Sequence, residues 1–302
     1  MRGLPIALKR KQWEPLAFAA PSLALIALVI LFPLAYSFYL SLQNFDLSVG
    51  PEYEFVGGKN YVEALVNDQR FLGSVWNTAI IIAPSLAVEL LLGLGIALLL
   101  SRAVRGRPII TALLAIPAMV SPVMAAMAWR MMFGVKFGAI NNLGRQFGLL
   151  DVYFDWFATP WLSIVSVVLV EVWHNTPFMM LVLLAGIQSI PQELYEAARA
   201  DGASPWQRFW SITLPLLKFT MVVGVMIRLI DLTKLFGLIF VLTYGGPGSS
   251  TETVAFDTYL VGFKDFRMSY AAALSYVIVG GVLVLTLVFL WIQRVRETRA
   301  AA

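Results

Sequence analysis

Five ionisable side chains stand inside stretches that are otherwise apolar enough to dissolve in lipid: Glu89, Glu171, Arg228, Asp231 and Lys234. A charge near the middle of such a stretch costs at least about 2.5 to 3.5 kcal/mol on insertion scales, so it faces protein or water. Arg228, Asp231 and Lys234 recur every third residue. On a helix that spacing advances by about 300° and keeps neighbours within about 60°, which makes one polar stripe. Two chemistries suit it. The stripe can line a water-filled path, offering donors and acceptors to the hydroxyls or anionic group of a passing solute. It can equally form an ion-pair ladder in which Asp231 sits between two cations and locks its helix to a neighbour. The two are compatible where a ladder borders a cavity. Glu89 is expected to partner one of the basic residues.

A second polar cluster, Glu171, Trp173, His174 and Asn175, directly precedes Thr176-Pro177. Proline frees a backbone carbonyl one turn earlier, which is tolerated in a membrane where neighbours or water satisfy it. Polar residues beside such a kink read as a cavity wall. His174 is the sole histidine and the chain has no cysteine. Disulfides and thiolate metal sites are therefore excluded, a histidine metal site is disfavoured, and His174 reads as a hydrogen-bonding residue ahead of a proton relay. A membrane enzyme would need a nucleophile with its base, or a metal cluster, and this inventory argues against both. Arg130 is expected to snorkel to the interface.

The elements that position these groups follow from composition. Of 302 residues, 59% are hydrophobic and 13% charged, about half the charged share of a soluble domain. A spanning helix needs about 20 mostly apolar residues, and six stretches qualify: roughly Leu16–Leu42, Trp76–Leu100, Ile109–Phe133, Trp161–Ile187, Leu217–Thr243 and Ala271–Gln293. Lysine and arginine concentrate in three flanking segments, with Arg2, Lys9, Arg10 and Lys11, then Arg102, Arg105 and Arg107, then Arg294, Arg296 and Arg299. The alternate segments carry Asp46, Glu52, Glu54, Asp151, Asp155, Glu252 and Asp257. The positive-inside rule then puts both termini in the cytoplasm. The formal charge of +4 is that bias and calls for no nucleic acid. The first stretch is too long for a signal-peptide core and stays as a mature helix. The connecting segments are small: a turn at Phe55–Gly57 with a short helix over Val62–Val66, another helix around Ala139–Phe147, and a turn-rich exit from the fifth stretch at Tyr244–Ser250.

One segment is polar where its surroundings are not. From Pro191 to Asp201 the pattern reads as a short helix with proline in its first turn and Gly202 ending it in the left-handed conformation. Ser204, Pro205 and Gln207 form a capping-box pattern for a second short helix, which Pro215 is expected to interrupt. Charge bias places this island on the cytoplasmic side. Composition leaves it equally a docking device and a solvated loop.

The residues Glu196-Ala197-Ala198, Asp201-Gly202, Ile212 and Leu214-Pro215 resemble the signature loop of permease subunits of binding-protein-dependent ABC importers. Phe55-Val56-Gly57 with Asn60-Tyr61, Trp76-Asn77-Thr78, Trp173 with Thr176-Pro177-Phe178, and Leu242-Thr243 with Gly245-Gly246-Pro247 resemble its carbohydrate branch, the maltose and glycerol-phosphate type. The resemblance implies an all-α, six-span permease with a type I ABC importer fold in a bacterial or archaeal cytoplasmic (inner) membrane. It implies a coupling helix that docks in a groove of an ATPase, Glu196 pairing with a basic residue there while Ala197 and Ala198 admit the groove wall. Its partners would be a second, non-identical permease, two ATPase subunits, an extracytoplasmic solute-binding protein and a sugar or sugar derivative. ATP and Mg would sit in the ATPase, with no cofactor on this chain. No Gly-x-x-x-x-Gly-Lys-Ser/Thr phosphate loop is present, so the chain is expected not to be an enzyme. Trp173 is suited both to stacking on a sugar ring and to ordinary packing. The expected layout is an N-terminal arm (1–15), a permease domain (16–293, core 76–293) holding the coupling loop (188–216), and a tail (294–302). The first span is a peripheral addition. A secondary transporter, the rival reading, would show repeat symmetry and ion sites and need no docking loop.

Overall fold

The computed structural model describes residues 18–47, 50–102, 105–150 and 152–300. The basic arm at 1–15 and Asp151 lie outside the described residues, as do the side chains of Glu52, Arg294, Arg296 and Arg299. Helices α1 (Phe18–Ser41), α3 (Gln69–Ser101), α7 (Pro160–Gln188), α9 (Pro205–Thr233) and the first 24 residues of α12 (Met268–Trp291 of Met268–Ala300) are each long and apolar enough to cross a membrane. Between α1 and α3 lie strands β1 (Gln43–Asp46) and β2 (Gly50–Phe55) and the short helix α2 (Lys59–Val62). Helices α4 (Arg107–Met119), α5 (Pro122–Met132) and α6 (Ala139–Gln146) separate α3 from α7. The island holds α8 (Gln192–Ala200), and α10 (Gly237–Leu242) with α11 (Val254–Tyr259) lead towards α12.

The expected third span is broken. Helices α4 and α5 meet at 90°, so together they make the sixth crossing only as a bent pair. Pro122 is the cause: a residue before proline is pushed out of the helical region, and Ser121 sits at φ −59°, ψ 138°. The fifth span departs the other way. Pro215 does not interrupt it, because a wide π turn at Phe209–Thr213 comes first and the Leu214 N–H reaches back to the Phe209 carbonyl. That turn re-registers the ladder where proline would collide with it. The helix therefore starts at Pro205, well before the expected Leu217, and ends at Thr233 instead of Thr243. Among the described residues, the antiparallel β1–β2 pair is an addition to the helices.

Two compact units divide the residues, one reaching to Asn67 and including Thr258–Val277, the other comprising Asp68–Asp257 with the segment from Ile278. In the first, Tyr276 donates to the Leu34 carbonyl at 2.6 Å and the Ser269 hydroxyl accepts from the Phe45 N–H at 3.0 Å. These bonds tie α1 and the hairpin to the start of α12. In the second, Ala97, Leu100, Met179, Met180, Leu183, Leu184, Ile187 and Leu217 form a buried core between α3, α7 and α9. Gly93 makes the α3–α7 approach feasible, since a Cβ there would lie 3.0 Å from the Met180 nitrogen.

Candidate functional site

Helices α3, α7 and α9 each bring an ionisable residue to one buried point. Arg228 holds Glu89 bidentately, Nε to Oε2 at 2.8 Å and Nη2 to Oε1 at 3.0 Å, and its Nη2 also donates to Glu171 Oε1 at 2.6 Å. Asn175 donates to the same Glu171 oxygen at 2.8 Å. All three charged side chains are almost fully buried. The planar fork of arginine suits this arrangement, in which its donors meet two carboxylates at once. Glu89 thus has a named basic partner, which the sequence alone does not supply.

The expected stripe is only partly realised. Asp231 approaches Arg228 Nη1 at 3.9 Å, and its side chain is 52% exposed. Lys234 caps the C-terminus of α9 at φ −96° and is exposed. Among the described residues no ion pair joins Lys234 to Asp231, so the ladder runs sideways through Arg228 to α3 and α7. The cause is the end of the helix at Thr233, which takes Lys234 out of helical register.

The cluster before Pro177 faces in several directions. His174 Nε2 lies 2.8 Å from the Val120 carbonyl. A carbonyl only accepts, so that nitrogen carries the proton. Val120 lies in the α4–α5 break, and His174 satisfies an acceptor that the break exposes. Trp173 packs edge-on against Trp129 with centroids 5.5 Å apart, and remains partly exposed. Thr176 returns its hydroxyl to the Val172 carbonyl at 2.6 Å, and α7 continues through Pro177. Arg130 donates to the Val241 carbonyl near the end of α10, a favourable place for a cation and a more specific role than snorkelling.

The polar island is a hairpin of helices held by its own hydrogen bonds. At the end of α8, Ala203 N–H reaches the Ala198 carbonyl at 2.8 Å and Gly202 N–H reaches that of Arg199 at 3.0 Å. These bonds define a Schellman turn, with Gly202 at φ +78°. Ser204 and Gln207 complete the capping box at 3.3 and 2.8 Å. Pro191 serves as the cap of α8, one position earlier than expected. Tyr195 and Thr213 join the two helices by a hydroxyl pair at 2.9 Å. Glu196, Ala197, Asp201 and Pro215 are exposed, while Ala198, Ile212 and Leu214 are half-buried.

Sequence reasoning missed one latch. Arg70, at the start of α3, pairs with Glu252 at 2.9 Å and with the buried Asp257 at 3.2 Å. Asn77 adds a bond to the Ser249 carbonyl at 2.7 Å. Glu252 and Asp257 counted only towards charge bias, although acids beside the Gly245–Gly248 turn were a visible clue.

Comparison with known proteins places this geometry. Residues 89–301 match the family model described as "Binding-protein-dependent transport system inner membrane component". The trehalose/maltose transport system permease protein MalF of Thermococcus litoralis is 38% identical over 281 residues, covering 92% of both chains. The sulfoquinovosyl glycerol transport system permease protein SmoG of Agrobacterium fabrum is 34% identical, covering 92% of this chain and 89% of its own. Among solved structures, a chain of a bacterial ABC transporter that imports the acidic polysaccharide alginate superposes with a TM-score of 0.79 at 23% identity, covering 94% of this chain and 96% of that one.

Proposed function

This chain belongs to the family of binding-protein-dependent transport system inner membrane components, and we propose that it is the permease subunit of an ATP-driven sugar importer. It contributes half of a translocation path, and a second, non-identical permease completes the other half. Two ATPase subunits bind ATP and Mg and carry out hydrolysis. An extracytoplasmic binding protein delivers the sugar. Residues 16–293 make up the permease domain, with 76–293 as its core and 188–216 as the coupling loop. The arm at 1–15, the tail at 294–302 and the coupling loop lie in the cytoplasm.

The observation that carries this reading is α8, a short helix closed by a Schellman turn and tied to α9 through Tyr195 and Thr213, which leaves Glu196 and Ala197 exposed. A rigid helix with a small-residue face transmits a push; a flexible loop absorbs it. Closure of the ATPase dimer on ATP therefore biases a two-state tilt of α7 and α9, which flank the island. Ala198, Asp201, Gly202, Ile212, Leu214 and Pro215 shape the loop around that helix.

Substrate recognition falls to the exposed polar edge of the buried cluster. Arg228 is engaged by Glu89 and Glu171, so Asp231 is the group beside it that stays accessible. A carboxylate accepts from sugar hydroxyls, so this edge suits a sugar or polyol. Of the other candidates for the path, Asn175 joins this cluster through Glu171 and Lys234 lies at the exposed end of α9, while Trp173 and His174 face Trp129 and the α4–α5 break.

Reconstitution of the chain with its second permease, ATPase and binding protein tests the reading. Sugar is expected to stimulate ATP hydrolysis and its own uptake, and Gly202→Val to abolish that stimulation. Unaltered stimulation and uptake in the assembled variant would remove α8 from the coupling path. A sugar-library thermal-shift screen of the binding protein identifies the cargo.

A further inference from the structure

A cavity of about 1000 Å³ opens where α3 and α7 end and α8 and the first turns of α9 fold beneath them. Its wall carries Arg102, Arg107, Arg199 and Arg208, together with Tyr195 and Trp206, and none of its lining residues is acidic. Among the described residues, no ion pair involves any of the four arginines. Arg208 Nε is buried without a hydrogen-bond partner there. Guanidinium groups around one cavity repel each other, and a buried donor left unpaired is unfavourable. An anion in the cavity relieves both.

The rest of the lining narrows the class. Leu98, Ile187, Ile190 and Phe209 add an apolar side at the ends of membrane helices. Gln192, Tyr195 and Arg199 face the cavity from α8, whereas Ala197 lies about 170° around that helix from their mean direction. A partner seated on Ala197 therefore leaves the cavity side of α8 free. The geometry points to a binding site for a phosphate-bearing anion, with the headgroup of an anionic phospholipid as the occupant that fits both the arginines and the apolar side. Guanidinium forks bind phosphate bidentately, so an occupant would brace α8 against the ends of α3 and α7.

The test uses the full chain in mild detergent, exposed separately to dioleoyl-phosphatidylglycerol, dioleoyl-phosphatidylcholine and inorganic phosphate. Native mass spectrometry reads lipid retention, and thermal unfolding reads the effect of phosphate. Phosphatidylglycerol should be retained roughly tenfold over phosphatidylcholine. That preference should vanish in the Arg102→Gln/Arg199→Gln variant and persist in Arg145→Gln, which alters an arginine outside the cavity. Stabilisation by inorganic phosphate without a lipid preference, lost in the same double variant, supports the site with a soluble phosphate compound as its source. Equal retention of both lipids with no phosphate effect overturns the proposal, as does a preference untouched by the double variant. Should that variant fail to fold, Arg199→Gln alone changes an exposed residue, and a wild-type preference that falls as salt rises supports the site without any substitution. An unchanged wild-type preference in high salt counts against the site.

Discussion

Arg228 decides more than any other single residue. It is the hub through which α3, α7 and α9 exchange charge, so its loss strands two buried carboxylates. Arg228→Met is expected to cost about 3 to 5 kcal/mol, read by denaturant unfolding in detergent, and adding Glu89→Leu should recover part of it. Equal stability of Arg228→Met and wild type would mean that the carboxylates find water. Asp231 is the contrasting case. Its side chain is half in the open and only 3.9 Å from its partner, a pair of the kind that contributes about 0 to 1 kcal/mol. Asp231→Asn should leave the unfolding midpoint almost unchanged while raising the KM for sugar uptake; an unaltered KM removes the residue from the path. The presence of these charges was legible because lipid makes each conspicuous. A basic partner for Glu89 was expected, but which one was not legible, since Glu89 and Glu171 stand 139 and 57 residues from Arg228 and no local pattern links them.

At the scale of elements, caps were legible and breaks were not. The Schellman turn and capping box of the island depend on Gly202, Ser204 and Gln207, whose chemistry acts within a few residues and reads directly from their order. Pro215 misled and Pro122 was passed over, because the effect of a proline depends on the turn before it. Pro122 follows an extended serine and bends its span by 90°, while Pro215 follows a π turn and rides inside a continuous helix. Gly202→Ala meets no neighbour within 4 Å but keeps a positive φ, so strain of about 1 to 2 kcal/mol falls on the α8 terminus alone. Hydrogen exchange should speed up in α8 and remain unchanged in α3; unchanged exchange in α8 would show that the turn is not what holds it. Gly93→Val drives a side chain into Met179 and the Met180 backbone. Overpacking of about 1 to 3 kcal/mol or more should then appear as a lower unfolding midpoint, with α7 loosened first.

For the whole molecule, the fold places its polar island, Arg102 and Arg107 around one cavity, and the direction of that end across the membrane governs the coupling proposal. The positive-inside rule assigns it to the cytoplasm, and a chain without cysteine allows a clean test by single replacements. Asn67, Gln146 and Ser204 are all exposed. An impermeant maleimide added to intact cells should label Asn67→Cys and Gln146→Cys, whereas Ser204→Cys should react only after the membrane is opened. Reaction of Ser204→Cys in intact cells would put α8 on the side without ATP, where it cannot meet an ATPase that draws on the cytoplasmic pool. The arginine cavity would then face the outer surface and the coupling role would fall, whereas the lipid preference of the cavity, read in detergent, would be judged on its own. The permease fold itself, shared with the alginate importer chain, would stand, because helix packing is indifferent to which side of the bilayer is called inside.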